Sequence, residues 1–146
     1  MESGAAASTL RRRTRARELA LQMLYQLDLR GSEVEAEVDL FLEENDAEPA
    51  VRQFAAELLR GAWERRAALD ECIRVVAQNW NLNRMAAIDR NILRLGTFEL
   101  LHRPDIPAKV SINEAIDLAK KYSTAESGAF VNGVLDKIRA SHVPEK

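Results

Sequence analysis

The chain has a single cysteine, Cys72, so no internal disulfide is available. That thiol and the only two histidines, His102 and His142, make a poor zinc set. A reduced, cytoplasmic domain with no metal and no cofactor is the expectation. No apolar run approaches the ~20 residues needed to span a bilayer, so no membrane association is expected. Six glycines and four prolines are too few for a collagenous, low-complexity or turn-rich β protein. Catalytic signatures are also missing: there is no glycine-rich phosphate loop, HExxH, CxxC or GxSxG. The acidic pairs Asp70-Glu71 and Glu43-Glu44 are adjacent in sequence, so on a helix their side chains diverge by about 100°. An enzyme is not expected.

At 47% hydrophobic and 30% charged, the composition is that of an ordinary globular protein. Its 146 residues suit one compact domain. We place that domain over residues 9–140, with a disordered lead-in at 1–8 and a tail at 141–146. The net charge of −2 hides an asymmetry. Residues 1–17 carry Arg11, Arg12, Arg13, Arg15 and Arg17 against Glu2, while the rest of the chain holds 16 basic and 22 acidic side chains. A basic arm on an acidic body suits a protein whose one end meets a polyanion. Arginine outnumbers lysine 16 to 5, which favours bidentate phosphate contacts, although a high-GC genome gives the same bias. The Arg-rich, acid-poor start also resembles a transit peptide, but its pattern runs without a break into helix.

From Thr9 to Gly31 the spacing is helical, with Ala16, Leu19, Ala20, Met23, Leu24 and Leu27 on one stripe and Gly31 as terminator. Arg11, Arg15, Glu18, Gln22 and Tyr25 fall on the other face. Arginines in the first turn oppose the helix dipole, a small stability cost that favours a binding role. Residues 33–48 hold eight acidic and no basic side chains. They read either as a solvated helix or as a face that repels nucleic acid. A long helical stretch follows from Pro49 to about Gln78, with a bend or break expected at Gly61 and Cys72 in the apolar stripe. Residues 79–83 read as a loop, with Trp80 plugging the junction between halves. Another helix is expected from about Arg84 to His102, ended by Pro104 and Pro107. Capping boxes at Ser111–Glu114 and Ser123–Glu126 predict helices to about Tyr122 and about Arg139. No stretch alternates like a strand, so the fold class is all-α, with six or seven helices.

Two aromatics stand apart from the apolar stripes. Phe130 points about 100° away from Val131, onto a flank shared with Glu126 and Lys137, and Tyr25 poses the same choice on the first helix. Each reads either as packing on a neighbouring helix or as a platform for an unpaired base. Arginines to hold phosphates and aromatics to hold splayed bases together suit single-stranded RNA.

Three blocks carry a family resemblance: RARELALQMLYQLDL (15–29), IDRNILRLGTFEL (88–100) and VSINEAIDLAKKYSTAESGAFVNGVLDKI (110–138). In order and spacing they resemble the bacterial transcription antitermination factor NusB family over nearly the whole chain. The resemblance implies about seven helices in two packed helical sub-bundles, with a flexible basic N-terminus, and a non-enzymatic role. It implies pairing with NusE, a small-subunit ribosomal protein, and joint binding of boxA in nascent RNA. That assembly would help RNA polymerase resist termination over ribosomal RNA operons. By position, it puts RNA contacts on Arg11, Arg12, Arg13, Arg15, Arg17, Tyr25, Lys121, Glu126 and Phe130. It puts the NusE surface at Asp89 and Arg90. Some family members self-associate, and a homodimer would cover the RNA or partner surface.

Plainer readings stand beside these. Asn132 and Gly133 could serve close helix packing, Asp89 could pair with Arg90 or a neighbour, and Lys120 and Lys121 could form a solvated helix end. Two other functions fit the pattern: a protein-binding helical adaptor, or a stand-alone fragment resembling the RNA-binding domain of an RNA methyltransferase.

Overall fold

The computed structural model describes residues 2–46, 48–78, 82 and 84–142, with side chains from Ser8 onward. Trp80, most of the 79–83 loop and residues 143–146 of the expected tail lie outside the described residues. Among those described there are seven α-helices, one 3-10 segment and no strand. The chain divides into two compact units, 1–60 and 61–146.

The first unit is built on α1 (Glu2–Arg30). Its stripe residues Ala16, Leu19, Ala20, Met23, Leu24 and Leu27 are all buried, as the spacing predicts. The helix starts earlier than expected, because residues 2–8 continue it instead of forming a disordered lead-in. Three consecutive alanines, Ala5–Ala7, explain the extension, since alanine has the highest helix propensity. The helix ends at Gly31, which adopts φ 92° and whose N–H reaches the Leu27 carbonyl at 2.8 Å. The acidic stretch then forms a 3-10 turn (Ser32–Glu37) and α2 (Val38–Asn45). These bury Val34, Val38 and Leu42 and leave most of their carboxylates outward. The helix α3 (Pro49–Glu64) begins in this unit.

The second unit holds α4 (Arg66–Val76), α5 (Ala87–His102), α6 (Ala108–Tyr122) and α7 (Ala125–His142). The last three pack on one another, and α4 packs on α5 and α7. All ten residues from Asn91 to Leu100 on α5 are buried, so its polar members need partners. Arg94 donates from Nε and Nη2 to the two oxygens of Asp70, both at 2.7 Å, and from Nη1 to Asn91 Oδ1 at 3.0 Å. Glu99 Oε1 accepts from the Ser111 hydroxyl at 2.9 Å.

Three further boundaries differ from those the sequence predicts. The break after α3 falls at Arg65 (φ −101°, ψ 12°), not at Gly61. Gly61 is needed for another reason: a Cβ there would collide with the ring of Phe98. Ser111 does not cap α6. The helix starts a turn earlier behind Pro107 (φ −58°, ψ 136°), and the Ser111 hydroxyl is spent inside on Glu99. The last capping site is one residue later than expected. Thr124 Oγ1 accepts from the Ser127 N–H at 3.1 Å, which leaves Glu126 outside the capping arrangement. Thr124→Ala should therefore lower unfolding stability by about 1 kcal/mol in urea denaturation. An unchanged midpoint would refute the cap.

Candidate nucleic-acid interface

The five arginines of α1 receive different environments from one helix. Arg11 and Arg12 are exposed, Arg13 and Arg15 half-buried, and Arg17 fully buried. Arg12 Nε donates to Glu48 Oε2 at 2.6 Å. Arg15 faces Glu18 Oε1 at 3.4 Å and Asp46 Oδ2 at 3.8 Å, and donates to the Asn45 carbonyl at 3.3 Å. The guanidiniums of Arg13 and Arg17 lie 4.5 and 5.4 Å from the centre of the Phe54 ring. Arg17 cannot contact a phosphate from inside the protein, at 1% exposure, so it leaves the expected RNA set and becomes a packing residue. Periodicity missed this because Arg17 adjoins Ala16 on the buried side, where a long charged stem can be covered.

Exposed pairs such as Arg12–Glu48 contribute ~0–1 kcal/mol each, so a phosphate can replace the carboxylate at little cost. Asp46 and Glu48 read in sequence only as part of an acidic run; nothing in the linear pattern marks them as facing the arginines. Phe54 reads in sequence as a core residue, and it is buried as expected. Its second role, as a plate under two guanidiniums, depends on a contact 37–41 residues away in the chain. Tyr25 sits half-buried near the end of α1.

In the second unit, Phe130 is half-buried on α7, with Glu126 one turn before it and Lys137 two turns after, both exposed. Gly133 does not serve close packing: nothing lies within 4 Å of a Cβ built on it. Instead, Phe130, Gly133 and Lys137 line a groove of about 580 Å³ against the end of α4. Lys121, at the end of α6, is exposed with its ammonium 5.5 Å from the Tyr122 ring centre.

Asp89 opens α5. Its Oδ2 accepts from the Ser127 hydroxyl at 3.1 Å, while its Oδ1 is buried with no hydrogen-bond partner among the described residues. Arg90 turns back to the carbonyls of Leu82 and Met85, both at 3.2 Å. The neighbour of Asp89 is thus Ser127, drawn from α7 by a contact no local pattern could show.

Cys72 is less buried than its place in the apolar stripe predicts, with its Sγ 3.9 Å from His142 Nε2. Burial raises its pKa, so it is a protonated thiol at neutral pH. His102 has its pKa lowered, first by burial and then by the charge of Arg65. Its ring lies 5.3 Å from that of Phe98. A lowered folded-state pKa means that the unfolded chain binds more protons, so this group costs stability as pH falls through the unfolded value of 6.5. We expect the His102 NMR titration to have its midpoint below 6.5, and Arg65→Gln to raise it only partway, since burial remains. A midpoint at or above 6.5 would contradict this environment.

The model of the NusB family matches residues 14–140, a span that starts inside the arginine run. The chain is 51% identical over 136 residues to the transcription antitermination protein NusB of Anaeromyxobacter dehalogenans strain 2CP-1, covering 92% of this chain and 95% of that one. The NusB structure from T. maritima superposes with a TM-score of 0.80 at 39% identity, covering 90% and 93% of the two chains. A chain in the crystal structure of antitermination factors NusB and NusE in complex with dsRNA gives 0.81 at 31% identity, covering 90% and 98%. With the family model spanning residues 14–140 and relatives matched over nearly their full length, the chain belongs to the NusB family.

Proposed function

We propose that this protein is a cytoplasmic transcription antitermination factor that binds boxA RNA as a single strand, together with the ribosomal protein NusE. In that complex it promotes processive transcription of ribosomal RNA operons. It works by binding and not by catalysis. The observation that carries this reading is near full-length likeness to a chain solved with NusE and RNA. The surface chemistry supports it. Arg11, Arg12, Arg13 and Arg15 supply cations on α1, and the carboxylates facing Arg12 and Arg15 can give way to a phosphate. Tyr25 and Phe130 supply aromatic faces for unpaired bases, with Lys121 and Glu126 beside the second. Arg17 supports this set through Phe54 without touching RNA. Asp89, half-buried and fixed by the Ser127 hydroxyl, gives the NusE-facing surface its negative charge, and Arg90 holds the chain leading into that helix.

Fluorescence anisotropy of a boxA-type single-stranded RNA, with and without a NusE-type partner, tests the reading. Sequence-selective binding that tightens with the partner is expected. Tyr25→Ala with Phe130→Ala should weaken it while leaving the helical circular dichroism intact. Unchanged affinity in that double variant would remove the stacking role. No RNA binding with or without the partner would favour a protein-binding adaptor.

A further inference from the structure

We infer that the turn joining α2 to α3 is a built-in competitor for RNA. Its carboxylates, Asp46 and Glu48, hold Arg15 and Arg12 in the free protein and must leave before a phosphate binds there. The inference rests on the RNA-binding reading above and deepens it by naming what keeps the affinity down. Glu48 Oε2 accepts from Arg12 Nε at 2.6 Å, and Asp46 Oδ2 lies 3.8 Å from Arg15 Nε. Arg15 Nη2 also donates to the Asn45 carbonyl at 3.3 Å. Arg12 and Arg15 lie about 4.5 Å apart along the axis of α1, so nearby anions of one turn meet nearby cations of one helix face.

The turn is fixed by bonds of its own, which separates it from a chance meeting of surface charges. The Asp46 N–H donates to the Leu42 carbonyl at 3.0 Å, and the Asp46 carbonyl accepts from Arg52 Nη1 at 3.0 Å. Asp46 Oδ1 accepts from the Glu48 N–H at 2.9 Å, which leaves Oδ2 for Arg15. Solvent reaches Arg12, Glu48 and Arg15, so both pairs are weak enough to exchange. A phosphate binds only the fraction of molecules in which these cations are released, and the observed affinity falls by that fraction. A polyanion held by charge alone therefore stays weakly bound. An RNA that also engages bases and a partner protein tolerates the cost. Of the eight carboxylates in residues 33–48, these two act on RNA through named arginines and not through general repulsion.

The test measures fluorescence anisotropy of the full chain with two probes: a boxA-type RNA in the presence of a NusE-type partner, and oligo(U), held by its phosphates. Asp46→Asn with Glu48→Gln keeps both side-chain shapes, and an amide oxygen at position 46 can still accept the N–H of residue 48. Both probes should bind this variant about fivefold more tightly at low salt, which is two surface pairs of ~0.5 kcal/mol each at 1.4 kcal/mol per tenfold. The gain should shrink as salt rises, because the competing pairs are screened. It should vanish when Arg12→Gln and Arg15→Gln are also present. Glu43→Gln with Glu44→Gln removes the same charge from exposed positions of α2 that these arginines do not contact among the described residues, and should give no comparable gain. Unchanged affinity on removing Asp46 and Glu48, an equal gain from the Glu43 and Glu44 pair, or a gain that survives loss of both arginines would overturn the competitor. Each of those results leaves the RNA-binding reading standing. Failure of the wild type to bind boxA-type RNA with the partner present would overturn both.

Discussion

Asp70→Ala should destabilise the protein by about 3 kcal/mol or more, read as a lower midpoint in urea or heat. Arg94 is held by two 2.7 Å bonds to Asp70, and its side chain is only 7% exposed. Removing the carboxylate takes the bidentate anion from a guanidinium in the interior of the second unit and leaves neutral acceptors such as Asn91 Oδ1. Breaking one side of such a pair typically costs 3–5 kcal/mol, because the remaining charge loses its compensation. Asp70 is 18% exposed, so water reaches the site in part and the lower end of that range applies. Replacing both residues together, Asp70→Leu with Arg94→Met, should cost less than the single change, since no charge is then stranded. Global stabilities of domains are ~5–15 kcal/mol, so the single variant should show a large shift. A change under about 1 kcal/mol would mean that the pair is solvated and structurally incidental.

The second large effect concerns RNA. Changing Arg11, Arg12, Arg13 and Arg15 together to glutamine should weaken binding of boxA-type RNA by roughly 100-fold. If each of the four cations contributes ~0.7–1 kcal/mol, they sum to ~3–4 kcal/mol, and every 1.4 kcal/mol is tenfold. The salt dependence should fall in parallel, the log–log slope losing about 0.7 for each phosphate contact removed from a single strand. Stability should fall by no more than about 1–2 kcal/mol, because Arg12 gives up an exposed pair with Glu48, Arg15 its contacts with Asp46, Glu18 and the Asn45 carbonyl, and Arg13 its stacking on Phe54. Arg17→Gln should do the reverse: a stability loss from an unfilled, buried site, with an unchanged salt slope. If the quadruple variant keeps both affinity and slope, α1 is not the phosphate-binding element.

How far the sequence carried depended on the range of the interactions involved. Helices with a clean 3.6-residue stripe, such as α1 and α7, could be placed because periodicity is local and their buried positions follow from it. Helix breaks were harder. Gly61 looks like a break because glycine has low helix propensity, but tertiary packing against Phe98 sets its identity, and the chain turns at Arg65 instead. Ser111 carries a capping pattern, yet Pro107 starts the helix first and Glu99 takes the hydroxyl. The arginine cluster was visible as composition, but which of its members face solvent was not. That depends on Phe54 and on Asp46 and Glu48, more than thirty residues away. The openness around Gly133 was equally hidden, because glycine in sequence says that a side chain is missing, not what occupies the space.

The measurement that bears most directly on the account is transcription in vitro through a terminator placed downstream of boxA, with this protein and a NusE-type partner added to bacterial RNA polymerase and its other elongation factors. The account predicts that read-through rises when both proteins are present, returns to baseline when boxA is scrambled, and is lost with the quadruple arginine variant. Read-through that is indifferent to boxA or to the arginines, under conditions where the protein is folded, would contradict it.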